Sequence, residues 1–515
     1  MRRELVIIFL ILAVAGFFRL YNLDFAPPGL FPDEAVNAND AMQALDSGEY
    51  KVFYPDNNGR EGLYVNILAV FFKLFGPSIW VLRFVSAFIG ILTVLFLYLL
   101  AREIFNWQIA SLASFFMAIS FWHVNFSRIA FRGIMVPLLT VLVAYFLWRG
   151  FKYLKNRDFL LSGVFLGLGM YTYIPFRLMP LVVIVLLLVF WQKIKKDYSL
   201  SKYENLRNRY LVGFAYILVA SILVAAPILF FAYNNPDIFL ARPAQVSIFT
   251  ADNPIIELGL SVGKTLQMFN FIGDLNWRHN FSGVSQLFWG IGIFFLVGIF
   301  RSFWKLLRMK EEHGHYSTVQ TFLLAWFFIL LIPNFLSAEG LPHALRAIGV
   351  IPVVMIFAAG GVWWLYDKLR DWYAAADVKH TGGHLFHKLS KTRASEGNVI
   401  AFIVLLVFLS VITWHQYDLY FNQWAYRPET ADHFSKELTI IAEEINEAPL
   451  GVPKYVIMDV DGWVSGMVPL ETEPIMFLTG TYTEELQEEK NIHYIFPNEL
   501  NKIPRGALTF RMSGN

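Results

Sequence analysis

Two adjacent carboxylates follow the first apolar stretch of the chain, in Phe31-Pro32-Asp33-Glu34-Ala35. A carboxylate held beside a hydroxyl can act as a general base. Acids just after a proline also start helices, where negative charge meets the N-terminal end of the backbone dipole. Residue type and spacing leave both readings open for Asp33 and for Glu34. Asp56, Glu61 and Asp274 are further acids of the same compartment, and Asp56 and Glu61 are candidate substrate contacts. A second group consists of arginines: Arg60, Arg128 and Arg132 in Ser127-Arg128-Ile129-Ala130-Phe131-Arg132, Arg177 after Ile174-Pro175-Phe176, and Arg346 in Pro342-His343-Ala344-Leu345-Arg346. A guanidinium presents a planar fork of donors that matches phosphate oxygens. Acids beside several such forks make a set able to deprotonate a hydroxyl next to a bound phosphate. Taken one at a time, each arginine can equally pair with a lipid headgroup. Arg83 lies inside an apolar run and reads as the partner of an outer carboxylate.

His343 is a candidate substrate contact. With His123, Asp33 and Glu34 it offers metal-ligand atoms, but no H-x-x-x-H or similar spacing is present. No metal and no other cofactor is expected. Cysteine is absent, which excludes disulfides, thiolate nucleophiles and Cys-ligated zinc.

The elements that must position these side chains are membrane helices. The 515 residues are 56% hydrophobic and 16% charged, where a soluble protein carries about a quarter charged residues. Runs of roughly 20 apolar residues span a bilayer. By that measure about eleven spans lie near 4–20, 78–100, 107–122, 133–151, 158–175, 177–193, 211–232, 284–303, 319–336, 344–366 and 398–414. The first reads as an uncleaved span, since no small-x-small cleavage site follows it. Lys and Arg collect in alternate loops, with Arg149, Lys152, Lys155 and Arg157 in one and Arg301, Lys305 and Arg308 in another. These loops are expected to be cytoplasmic, together with the N-terminus. Asp33, Glu34 and the arginine set then lie on the extracytoplasmic face of the cell membrane. A net charge of +2 points to no nucleic-acid partner.

Two outer loops are long, 21–77 and 233–283. In the first, Ala35–Leu45 and Gly62–Leu74 have helical apolar spacing and are expected to lie at the membrane interface. Residues 1–414 thus form a polytopic α-helical domain. Residues 415–515 are expected to form a small extracytoplasmic α/β domain, with a helix near 430–447 and strands at Tyr455–Met458, Ile475–Leu478, His493–Phe496 and Leu508–Phe510.

Ordered stretches resemble a known family. Arg19-Leu20-Tyr21-Asn22-Leu23, then Asp33-Glu34, then Lys73-Leu74-Phe75-Gly76 leading to Leu82-Arg83-Phe84-Val85-Ser86, then 126–132, then Leu345-Arg346 with Pro352, resemble the GT-C type glycosyltransferases. The nearest group is family 39, the dolichyl-phosphate-mannose protein mannosyltransferase class and its bacterial relatives. The resemblance covers roughly residues 10–365. Where many relatives carry a Pro-Pro-Leu-like sequence, this chain reads Gly59-Arg60-Glu61-Gly62-Leu63. The resemblance implies a polyprenyl-phosphate-linked sugar donor in the lipid bilayer. The acceptor hydroxyl belongs to a protein, a polysaccharide or a glycolipid. Asp33 is then the base of an inverting transfer, Glu34 orients it or binds a hydroxyl, and Arg128, Arg132 and Arg346, then Arg60 and Arg177, hold the donor phosphate. The reading from a different class is a transporter or flippase of a lipid-linked or anionic solute. Ionisable residues are scarce mid-span, which disfavours a path through the membrane.

Overall fold

The computed structural model describes residues 2–55, 57, 59–197, 200–308, 314–375, 386–459, 464–465 and 468–513. The chain opens with helix α1 (Arg2–Leu20) and continues through α2 (Pro32–Ser47), α3 (Leu63–Phe75), α4 (Ile79–Ile104) and α5 (Trp107–Ile119). A short hairpin of β1 (Phe53–Tyr54) and β2 (Arg60–Glu61) joins α2 to α3. Local chemistry fixes the ends of these helices. Ser78 caps α4 by accepting from the Val81 amide, and Asn106 caps α5 by accepting from the Ile109 amide. Gly48 ends α2 in the left-handed conformation, φ 75°.

Among the described residues, eight helices are long and apolar enough to cross a bilayer: Ile79–Ile104, Arg132–Tyr153, Ile174–Gln192, Asn205–Asn234, Trp289–Leu307, Thr318–Phe335, Ile348–Trp372 and Val399–Tyr426. The expected count of eleven is therefore too high by this measure. The other three expected spans are helical but fall short of it. α1 carries Arg2, Arg3, Glu4 and Arg19 within its 19 residues. α5 has 13 residues and Asn156–Gly169 has 14, about 20 Å each against a hydrocarbon core of about 30 Å. Gly163 and Gly167 let this last helix approach Asn205–Asn234 closely. A Cβ on Gly163 would lie 2.5 Å from the Ile217 carbonyl oxygen, and one on Gly167 2.8 Å from that of Ser221.

The two loop helices appear where their apolar spacing predicts them, with different surroundings. α3 buries Tyr64, Val65, Leu68 and Phe72 and leaves Val70, Leu74 and Phe75 exposed, as an interfacial helix does. α2 does not lie flat at an interface. Glu34 to Ala41 are all buried, because α2 packs on α3 and under the C-terminal residues. Its Asn39 Nδ2 donates to Glu473 Oε2 at 2.6 Å, and Asp46 accepts from the Tyr482 hydroxyl at 2.7 Å.

Beyond the last span, which runs on to Tyr426, the chain forms a three-stranded parallel sheet. Its central strand Lys454–Asp459 lies between Ile492–Ile495 and Leu508–Ser513. Helix Lys436–Glu447 lays Leu438, Ile441, Ala442 and Ile445 into the same apolar cluster as Val456, Met458 and Ile492. The expected strand at Ile475–Leu478 is instead part of helix Glu473–Thr479. Pro474 favours the first helical turn and Gly480 (φ 64°) closes the last, and a short apolar run between them carries no period of its own.

Candidate active site

Several of the predicted site residues stand where membrane-length helices begin. Arg83, Arg132 and Arg177 lie in the first turns of Ile79–Ile104, Arg132–Tyr153 and Ile174–Gln192. The loop 268–287 leads into Trp289–Leu307, and His343 to Arg346 lead into Ile348–Trp372.

Three of the predicted residues turn inward as ties. Glu34 is fully buried and pairs with Arg83, also fully buried, at 3.3 Å. Its Oε1 accepts from the Ala130 amide at 2.9 Å and its Oε2 from the Phe31 amide at 3.3 Å, closing the first turn of α2. Arg83 spends its remaining donors on the carbonyls of Leu23, Pro27 and Gly29, the last at 2.6 Å. Arg128 donates to the carbonyls of Phe18, Tyr21, Asn22 and Ala26, between 2.7 and 3.0 Å. It is completely buried, and burial pulls its pKa down to about 10. Arg60 is buried on α2, donating to Asn37 Oδ1 at 2.8 Å and pairing with Asp40. These guanidinium groups hold the 18–30 segment and the hairpin in place. His123 is likewise interior: its Nδ1 lies 2.7 Å from an Arg19 terminal nitrogen, and burial holds its pKa well below the ordinary value.

Asp33 is different. It is half-buried at the N-terminal turn of α2, and its Oδ1 accepts from Asn57 Nδ2 at 2.6 Å. Asn57 sits on the β1–β2 hairpin, whose far side carries a second cluster. There Glu61 is buried and bridges two arginines: Arg132 Nε donates to Oε2 at 2.8 Å and Arg177 donates to Oε1 at 2.9 Å. Both guanidinium groups keep about a fifth of their side-chain surface exposed, 19% and 20%. Arg132 lies over Tyr173 and Arg177 over Phe239, at 5.4 and 3.7 Å from the ring centres. Two cations on one carboxylate leave a net positive charge in this cluster.

On the other side of Asp33 is Arg278, which residue spacing alone did not single out. Its guanidinium lies 4.2 Å above the ring of Phe31, and its Nε donates to Asn276 Oδ1 at 3.2 Å. Burial lowers its pKa from the usual arginine value, and the carboxylates of Asp33 and Asp274 oppose that shift. Among the described residues no hydrogen-bond acceptor is committed to its terminal nitrogens. Asp274 and His279, beside it in the chain, meet His343 from the 336–347 loop. The Ala344 amide donates to Asp274 Oδ2 at 2.7 Å, and His279 Nδ1 lies 3.0 Å from the same oxygen. Arg346 is directed to Ser337 Oγ at 2.5 Å and the Glu339 carbonyl at 2.6 Å. Asp56 lies outside the described residues. Asp33 thus has Asn57 and Arg278 as its neighbours, and the hairpin that carries Asn57 also carries the Arg132–Glu61–Arg177 cluster.

Comparison with known proteins agrees with this architecture. Residues 63–222 match the family model described as dolichyl-phosphate-mannose-protein mannosyltransferase. The fold is similar to that of ArnT from Cupriavidus metallidurans bound to undecaprenyl phosphate, with a TM-score of 0.55 and 14% identity over 98% of this chain and 92% of that one. It is also similar to the Archaeoglobus fulgidus oligosaccharyltransferase tethered to an acceptor peptide, with a TM-score of 0.52 and 13% identity over 95% of this chain and 68% of that one. No curated protein matches by sequence. The chain has the GT-C fold, a polytopic helical membrane domain followed by a small C-terminal sheet domain.

Proposed function

We propose that this protein is an integral-membrane, inverting glycosyltransferase that moves a sugar from a polyprenyl-phosphate donor to an acceptor hydroxyl on the extracytoplasmic face. The observation that carries the proposal is the half-buried Asp33 carboxylate, held by Asn57 and flanked by the Arg278 guanidinium. Asp33 takes the proton of the acceptor hydroxyl. The freed oxygen attacks the anomeric carbon on the face opposite the phosphate. The bond from that carbon to the phosphate oxygen breaks, and its electron pair leaves with the lipid phosphate. Arg278 balances the charge that develops there, and a fixed cation needs no reorganisation as the charge appears; Arg132 and Arg177 are further cations for the donor phosphate. The lipid tail stays in the bilayer throughout.

Several observations support this reading. The similar ArnT structure holds undecaprenyl phosphate and the similar oligosaccharyltransferase holds an acceptor peptide. The opposite end of the bundle carries the basic cluster of Arg149 and Lys152 on Glu103, at 3.1 and 2.9 Å, as a cytoplasmic face does. The N-terminus is then cytoplasmic, and the site and the 415–515 domain are extracytoplasmic. In this mechanism Glu34, Arg128 and Arg60 are positioning residues, Arg346 orders the loop that carries His343, and acceptors are hydroxyls of protein, polysaccharide or glycolipid. Lipid extraction tests the activity whichever of these acceptors is used. Cells lacking the protein should accumulate one polyprenyl-phosphate sugar, and an unchanged lipid profile would refute the donor class.

A further inference from the structure

Asp274, His279 and His343 each present one ligating atom, and the three atoms lie within 4.8 Å of one another. The residues come from two loops, 268–287 and 336–347, separated in sequence by a membrane-spanning helix pair. Asp274 and His279 are buried and His343 is half-buried. The imidazole rings of His279 and His343 are tilted by 41° with centroids 4.8 Å apart.

The loops hold this trio in place. The Asn276 amide donates to Asp274 Oδ1 at 2.8 Å, and the Ala344 amide to Oδ2 at 2.7 Å. Trp122 Nε1 donates to the Ala344 carbonyl at 3.1 Å, tying the second loop to the helical core. A carboxylate offers about four acceptor positions, so two amides leave Asp274 with capacity to spare. His279 places Nδ1 3.0 Å from Asp274 Oδ2; with the ring proton on Nε2, Nδ1 keeps its lone pair beside that carboxylate. Nδ1 of His343 accepts from the Arg346 amide at 3.3 Å, a long contact that an ion at that nitrogen would displace.

We propose that Asp274, His279 and His343 bind one divalent ion of the zinc class. Two imidazoles and one carboxylate, with no thiolate, suit zinc and its neighbours among the transition metals rather than calcium or magnesium, which prefer all-oxygen shells. Ligand bonds of about 2.0–2.2 Å bring ligand atoms to about 3.4 Å from one another in a tetrahedron, so the trio closes by roughly 1 Å on the ion. Three protein ligands leave a fourth position open, the arrangement of zinc sites that admit an outside ligand. The ion also clips the loop bearing Arg278 to the loop bearing Arg346.

The test reads metal, not turnover, so it stands or falls independently of the transfer reaction. The full chain, purified in nanodiscs and stripped with a chelator, is titrated with Co2+ and with Zn2+, desalted, and assayed for visible Co2+ absorption and for bound ions per chain. The proposal expects about one ion per chain, an imidazole-type Co2+ spectrum and a saturable rise in thermal stability of the wild type with Zn2+. His279→Gln and His343→Gln should each weaken the ion at least tenfold, while Asp33→Asn should leave it unchanged. Retention of well under one ion per chain by the wild type would overturn the site, whatever the variants do. Equal retention by wild type and both histidine variants would assign the ion to adventitious surface groups and overturn it as well.

Discussion

Replacing Glu34 with Gln separates the two roles open to the adjacent acids. The Glu34 carboxylate accepts from Arg83 through both oxygens, at 3.3 and 3.4 Å, and from the amides of Ala130 and Phe31. The substitution keeps the shape and one oxygen. If the oxygen stays on the Ala130 amide, the new NH2 faces Arg83 and the Phe31 amide, so two donors lose their acceptor and Arg83 keeps its charge without a counter-ion. Both side chains of the pair are fully buried. Breaking a buried ion pair from one side costs about 3–5 kcal/mol. Arg83 retains its contacts to the backbone carbonyls of Leu23, Pro27 and Gly29, which places the expected loss near the lower figure, about 3 kcal/mol. Reversible denaturation in mixed micelles should show this loss in Glu34→Gln, and the double variant with Arg83→Met should lose less than the sum of the two single changes. Transfer per folded molecule should fall modestly. A Glu34→Gln protein as stable as the wild type but inactive would refute the structural assignment and make Glu34 part of the chemistry.

Arg278→Ala should lower turnover by about 10²–10³-fold, as loss of one fixed charge-stabilising donor does, with Arg278→Lys recovering part of it. Equal activity of the alanine variant in a labelled-donor assay would remove Arg278 from the mechanism. Arg128→Ala should fail at folding, since four backbone carbonyls lose their donor in the interior, and yield of monodisperse protein measures this. Gly29→Ala should destabilise contact with the C-terminal residues, because a Cβ there would lie 2.5 Å from the Phe434 carbonyl oxygen and φ is +75°. Asn39→Ala removes a buried bond to Glu473 and should cost about 1–3 kcal/mol, read as faster proteolytic release of the C-terminal domain.

Much of this arrangement was legible in the residue pattern. Helical spacing located α2 and α3, alternation located three of the four expected strands, and the Asp33-Glu34 pair does begin a helix at the end of the bundle that carries the arginines. Counting spans by apolar runs overshot because α5 and Asn156–Gly169 are apolar but too short to cross alone. The surroundings of the arginines were illegible for a different reason. The acceptors of Arg128 are carbonyls about a hundred residues away, at the end of α1 and in the turns after it, and no side-chain pattern records them. Arg132 and Arg177 both pair with Glu61, a contact between residues 71 or more positions apart that residue order does not specify. Arg278 was hidden in Asn276-Trp277-Arg278-His279, where one basic residue in a long polar loop looks ordinary until the fold sets it beside Asp33. Asp274 and His343 were visible as separate residues, and only loop packing brings them to His279.

The central claim is tested most directly by Asp33→Asn. Asn57 can still bond the new amide oxygen, so the fold and the charge on Arg278 persist while the basic oxygen is gone. In nanodiscs supplied with a panel of labelled polyprenyl-phosphate sugars, transfer of label out of the lipid fraction should fall by about 10²–10⁴-fold, with donor binding retained. Transfer at the wild-type rate by the Asp33→Asn protein would contradict the account.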